Sequence, residues 1–139
     1  MQDEYSLACR KNESDLIFLA NELGLTPMTW GSLGQGILTG KYSIDISFEK
    51  NDRRSREIYV NFHGDKLRRN LEIVEAMRPI AKRHNVSLAA IAVRFILDHI
   101  DNSVVLVGAK RPSQILGSIA AMNWHLIKDE LTALAEISK

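Results

Sequence analysis

Two stretches of this chain carry residue types suited to capturing a phosphate. In Val104-Val105-Leu106-Val107-Gly108-Ala109-Lys110-Arg111-Pro112-Ser113-Gln114-Ile115, a run of branched apolar residues reads as a strand buried on both faces and ended by Gly108. Pro112 suits the first position of a helix. Lys110 and Arg111 stand just before it, with no carboxylate in the first turn, the wrong sign for a helix dipole left to itself. N–H groups, dipole and two cations together would hold a phosphate; the alternative is a solvated basic turn. The second stretch is Gly31-Ser32-Leu33-Gly34-Gln35-Gly36-Ile37-Leu38-Thr39-Gly40-Lys41-Tyr42. Its glycines would let the backbone approach a ligand and present N–H groups, although their spacing is neither the dinucleotide fingerprint nor a P-loop.

Composition narrows the remaining chemistry. The 139 residues amount to one domain, and 18 Lys and Arg against 17 Asp and Glu leave no bulk charge to attract nucleic acid or an anionic membrane. No apolar run approaches a membrane span and no secretory leader is legible, so a cytoplasmic protein is expected. Cys9 is the only cysteine; it excludes an internal disulfide and reads as a small buried apolar residue. His63, His84, His99 and His125 have no metal-ligand spacing and read as surface or packing residues, and Tyr5, Tyr42 and Tyr59 lie in no catalytic pattern.

The elements that would position these groups follow from the apolar pattern. A strand near residues 2–5 precedes a helix capped by Asn12, with Asp15 three residues later close to a capping box, Leu16, Leu19, Ala20 and Leu23 inward, and Gly24 at its end. A strand near 25–30 follows, and Pro27 argues against a central place for it. Residues 43–64 read as a long loop or lid whose Arg53, Arg54 and Arg56 form a solvated face. Asp65 is expected to cap a helix to about His84, with Leu67, Leu71, Val74 and either Met77 or Arg78 inward, a bend at Pro79 and an end at Asn85. Ser87 caps the next helix, with Leu88, Ile91, Ala92, Phe95 and Ile96 on its apolar face. The strand near 104–107, a helix from Pro112 to about Ala121 and a last helix over 128–138, its Trp124 neighbour covering the core, complete the chain. Alternation of this kind predicts right-handed βα units on a parallel sheet, with three strands too few to close it.

At Trp30-Gly31-Ser32-Leu33-Gly34-Gln35-Gly36-Ile37-Leu38-Thr39-Gly40-Lys41-Tyr42 the chain resembles the C-terminal part of the aldo-keto reductases, NADP(H)-dependent (β/α)8-barrel enzymes. The resemblance continues through Gln2, Glu4-Tyr5-Ser6-Leu7 and Arg10, through Asp52-Arg53-Arg54, and through Ser87, Ala89 and Ile91-Ala92. It ends with Gly108-Ala109-Lys110-Arg111-Pro112, Gln114-Ile115, Asn123-Trp124 and Leu126, so that it spans essentially the whole chain. It implies an α/β fold: about three C-terminal βα units of a TIM-type barrel, plus a C-terminal helix.

The resemblance also implies roles. Gln2 would bond the nicotinamide carboxamide and Trp30 would stack on its ring. Leu33, Gln35, the Gly34–Gly36 backbone and Lys41 would line the pyrophosphate; Lys110 and Arg111 would take the adenosine 2′-phosphate, and Gln114 the adenine. Gly31, Ser32, Gly108 and Ser118 complete the implied cofactor-binding set. Ser32 stands where the family carries proline, and Gly117-Ser118 replace an acidic residue followed by asparagine. The family's Asp, Tyr, Lys and His tetrad belongs to the first half of the barrel, so no catalytic residue and no metal ligand is assigned here. The implied activity is reduction of an aldehyde or ketone by NADPH, with the isolated chain inactive and needing either its missing N-terminal half or an oligomer. The alternatives are a nucleotide-binding adaptor like the potassium-channel β subunits, or an inactive truncated fragment. Nucleic acid and membrane are not expected partners.

Overall fold

The structure, a computed structural model, describes residues 1–139. Three short strands, β1 (Gln2–Glu4), β2 (Met28–Trp30) and β3 (Val104–Val105), alternate with five helices. These are α1 (Glu13–Asn21), α2 (Gly64–His84), α3 (Leu88–His99), α4 (Pro112–Ile119) and α5 (Lys128–Ile137). The strands form one parallel sheet in the order β1-β2-β3, as the alternation of elements predicts.

The register explains which face carries the core. Asp3, Thr29 and Val105 lie in one row, and Thr29 is fully buried beneath the helices. Alternate side chains point the other way, and there Gln2, Met28 and Val104 share a row that stays exposed, with Trp30 beyond it. The expectation that the strand around residue 104 is buried on both faces therefore fails. Val104 and Leu106 are exposed because the helices cover only the Thr29 face, and Val107 is exposed beyond the end of β3. β2 is the central strand despite Pro27. The proline sits just before the ladder and uses only its carbonyl, which accepts from the Val104 N–H at 2.8 Å.

One cluster of 20 buried residues packs α2 and α3 against each other and against Tyr5, Leu7 and Ala8 after β1 and Ile37 and Leu38 of the glycine loop, with Leu16 of α1 on one side and Leu134 of α5 on another. Ser87 caps α3 as expected, accepting from the Ala90 N–H at 3.1 Å. Asn85 ends α2 in the left-handed conformation (φ 53°), again as expected. Asn12 occupies the N-cap position of α1 but makes no capping bond; its amide donates to Asp3 Oδ1 at 2.7 Å, tying the helix start to β1. His63, not Asp65, holds the cap position of α2, and Asp65 lies inside the first turn, where its charge suits the dipole.

Residues 43–62 are not a bare lid. Two 3₁₀ turns, Arg53–Ser55 and Val60–Phe62, and an edge-to-face cluster of Tyr42, Phe48 and Phe62 give the segment a packed centre. Arg54 belongs to that centre and not to a solvated face: its guanidinium lies 4.8 Å from the Phe48 ring centroid.

At the other end of the helical layer, Glu130 of α5 is buried and clamps α5 to α2. Its carboxylate lies 2.6 Å from Arg83 Nη1 and 2.8 Å from His84 Nε2, and accepts from the Ile127 N–H at 3.2 Å. The His84 ring stacks on Trp124, which covers this corner. Burial works to raise the Glu130 pKa, but the bonds from His84, the Ile127 N–H and Arg83 outweigh it and hold the carboxyl below its usual range. A lowered folded-state value contributes stability above the unfolded value, about 4.3 for Glu, which is lost as pH falls through the folded value. Glu130→Gln is therefore expected to lower the urea midpoint at neutral pH, with the gap to wild type closing below about pH 4. A gap that stays constant on acidification would show that the carboxylate charge is not what holds α5.

Candidate cofactor-binding groove

A groove of about 890 Å3 runs from the end of β2, along the glycine loop, to the start of α4. Trp30, Gly31, Ser32, Leu33, Gln35, Gly36 and Lys41 line it from one side, and Gly108, Lys110, Gln114 and Ser118 from the other. Two segments more than 65 residues apart are thereby brought face to face by the parallel pairing of β2 with β3. Three residues singled out from sequence lie off this wall. Gln2 stands on the same open sheet face as Trp30, opposite Met28. Gly34 is buried behind the loop, and Arg111 is exposed at the N-cap of α4.

The loop's shape is set by backbone that only small residues adopt cheaply. After β2 the chain turns through Gly31 and Gly34 (φ 69° and 55°) into a 3₁₀ segment, Gly34–Thr39, interrupted at Gln35 and Gly36 (φ 60° and 103°). The Gly34 and Gly36 N–H groups bond back to Gly31 and Leu33, closing the turn. The N–H groups of Ser32, Leu33 and Gln35 find no acceptor in the chain. Ser32 is buried, and its hydroxyl donates to the Leu106 carbonyl, a bond that proline at this position could not make. It fastens the β2 end of the groove to the β3 end. The Leu106 N–H closes the same junction on Thr29 O at 2.8 Å.

At the other wall, α4 begins as expected at Pro112. Gln114 reaches back so that its Oε1 accepts from the Lys110 and Arg111 N–H groups, at 2.7 and 3.1 Å. The side-chain oxygen thus takes the place of the missing carboxylate without adding charge, and the side-chain NH2 remains available. The Lys110 and Arg111 side chains are solvent-facing and enter no ion pair. Ser118 is buried, donating to the Gln114 carbonyl at 3.2 Å, one turn back in its own helix.

Tyr42, Arg54 and Ser87 also line the groove and were not singled out as site residues from sequence. Arg54 is held by Asp52 through side-chain and backbone bonds, and it donates to the Tyr42 hydroxyl. Those bonds, helped by the charge of Lys110 across the groove, pull the Asp52 carboxyl down to about 2. The legible signal was the arginine and acid set among aromatics at 42, 48 and 62. Ser87 joins the walls from below, its hydroxyl donating to Gly117 O at 3.1 Å.

A sequence profile described as the aldo/keto reductase family matches residues 1–139. The chain is 28% identical to an aldo-keto reductase of Strobilurus tenacellus, over the whole chain and 42% of that protein. It is 25% identical to the NADH-specific methylglyoxal reductase of Escherichia coli over the whole chain and 41% of that protein. It is 34% identical to a probable voltage-gated potassium channel β subunit of rice, over 88% of the chain and 38% of that protein. Among solved structures, the glycerol dehydrogenase of Gluconobacter oxydans superposes with a TM-score of 0.85 at 29% identity, covering 98% of this chain and 41% of that one. The chain therefore spans well under half the length of these relatives.

The groove depends on Gly34, whose added Cβ would lie 2.9 Å from both Ala8 Cβ and Ile37 Cγ2, at a φ of 55°. Gly64 has a similar φ, 53°, but open space around it. Gly64→Ala is expected to cost only the left-handed strain, about 1–2 kcal/mol. Gly34→Ala should add an overpacking penalty and cost about 2–4 kcal/mol. Urea denaturation of the two variants separates the terms; equal losses would mean the loop yields without strain.

Proposed function

The chain belongs to the aldo/keto reductase family, and on that premise we propose that it supplies the cofactor-binding C-terminal part of an NADP(H)-dependent reductase of aldehydes or ketones. The observation that carries this reading is the single groove in which Trp30, the glycine loop and the start of α4 meet. In this reading the three-stranded arc is part of a (β/α)8 barrel, a fold of eight strands and roughly 250 residues. The exposed Met28, Trp30 and Val104 face is then the barrel's interior wall, covered by an N-terminal half or by a second copy.

The donor set fits a dinucleotide phosphate. The unpaired N–H groups of Ser32, Leu33 and Gln35, with Lys41, suit a pyrophosphate. The Trp30 ring, 43% exposed beside the glycine turn, suits a flat heteroaromatic ring. Gln114 keeps its side-chain NH2 to donate to a ring nitrogen of adenine, since its oxygen is engaged by two N–H groups. Lys110 and Arg111 are the cations best set to meet a ribose 2′-phosphate, the only group that distinguishes NADPH from NADH. When bound, the nicotinamide supplies the hydride that the carbonyl carbon accepts. The residues of this chain bind and orient the cofactor; the proton donor is assigned to the barrel's other half.

A second reading, a nucleotide-binding adaptor, is favoured by the 34% and 32% identities to the rice and Arabidopsis channel β subunits. It predicts nucleotide binding without turnover even in a completed barrel.

In a completed barrel, Lys110→Ala with Arg111→Ala should weaken NADPH binding 10- to 1,000-fold, about 1.4–4 kcal/mol after solvent screening. NADH binding should change little, and the NADPH preference should shrink as salt rises. Titration of both cofactors by protein fluorescence, with Trp30 as reporter, measures this; equal losses for the two would place the phosphate contact elsewhere. Expressed as these 139 residues alone, the chain should not consume NADPH with simple aldehydes. Turnover above a tag-matched blank that survives further purification would overturn the assignment of the proton donor to another part of the protein.

A further inference from the structure

On the far side of the glycine loop lies a second cavity, of about 640 Å3, between the β1–α1 turn and the start of α2. Gln35 lines both this cavity and the groove, and the Asn61 amide donates to its side-chain oxygen at 3.3 Å, so the two spaces share one wall. Every wall comes from this chain, and Glu4, in register with Trp30 at the end of β1, is the one lining residue on the open sheet face.

Its charges are unevenly committed. Arg10 and Glu13 pair with each other at 2.5 Å, Glu4 faces Lys11 at 3.9 Å, and Lys139 is held by Glu136 at 2.6 Å. Lys66 has no such partner. It is half-buried, with neither a carboxylate in ion-pair contact nor a hydrogen-bond acceptor, and the opposed charges of Arg69 and Glu4 act on it only from beyond contact. Partial burial pushes its ammonium below the usual lysine value. A cation partly withdrawn from water and left unpaired is costly, and an anion offsets that cost. Ile58 and Val60, both exposed, give the mouth an apolar rim. Cys9, the only thiol of the chain, stands on the same wall.

We propose that this cavity is a second ligand site, taking a small organic carboxylate whose charge is met by Lys66 and whose short apolar body lies along Ile58 and Val60. The site is separate from the groove, so its test reads neither cofactor binding nor turnover.

Cys9 reports on it directly, because any thiol alkylation of the chain occurs there. Iodoacetate and iodoacetamide attack the same thiolate, so the ratio of their rates cancels the thiol's own ionisation and reads the local preference for an anion. In the full chain this ratio should exceed that of free cysteine. Lys66→Gln should lower it about three- to tenfold, and Lys66→Arg should retain it. Butyrate should protect Cys9 from iodoacetamide, while butyramide and inorganic phosphate should not. Circular dichroism and urea midpoints confirm that the variants are folded. A ratio indifferent to Lys66→Gln would overturn the proposal. Equal protection by butyramide would assign binding to the apolar rim alone, and equal protection by phosphate would remove the organic-acid assignment.

Discussion

The guanidinium of Arg10 is the point at which separate parts of the helical layer are joined. Its side chain is 8% exposed and bonds Glu13 through two nitrogens, at 2.5 and 2.6 Å. Its third nitrogen donates to the Ala135 carbonyl and to Ser138 Oγ, at the end of α5. The Phe95 ring of α3 lies beneath it, and His99 stacks on that ring and approaches both Arg10 and Glu13. Tyr5, fully buried at the end of β1, donates to the same Glu13 at 2.5 Å, and burial with this partnership drives its phenol strongly upward. Burial alone would lift the Glu13 carboxyl, yet Arg10 and Tyr5 hold it below its normal value. Removing one partner of a partly buried pair leaves the other uncompensated and is destabilising. The arrangement therefore fixes β1, α1, α3 and α5 in one relation, and the β1–α1 turn that borders the cavity is anchored with them.

From that anchored turn the glycine loop takes its position. Ala8 packs against the place where Gly34 has no side chain, and the loop then runs between the cavity and the groove. One segment of irregular backbone thus separates two spaces with different chemistry. Toward the groove it presents unpaired N–H groups; on the cavity side, it is braced by Gln35 and the Asn61–Asn70 pair. The packed segment over residues 43–62 closes the loop's outer side through Tyr42 and Arg54, so mobility is not needed to bring those residues to the groove.

The sheet has the opposite character. Its strands are two or three residues long, and a helical layer covers only one of its faces. Met28, Trp30 and Val104 remain exposed in adjacent rows, and Ile115, Leu116 and Ile119 add an exposed apolar stripe on α4. Exposed apolar surface of this kind is typical of a surface that other protein covers. This fits a chain that covers 38–42% of the length of its curated relatives.

The sequence determined whatever depends on near neighbours. The apolar face of α3 with its Ser87 cap, the Asn85 end of α2, the Pro112 start of α4 and the strand–helix alternation are all encoded within a few residues, and the structure has them all. The family was legible too, through the resemblance carried by the run from Trp30 to Tyr42 and by Gly108 to Pro112. Tertiary structure decided what depends on partners distant in the chain. Pro27 could precede a central strand because only its carbonyl was needed, and the strand after Ser103 could be exposed because no helix reaches its outer face. Arg54 and Cys9 changed character for the same reason. One found aromatic rings 6 to 12 residues away, and the other became half-buried in a cavity wall that includes Lys66 from the start of α2. Burial and pairing are properties of the packed chain, and a residue's type fixes only what it would need once it arrives there.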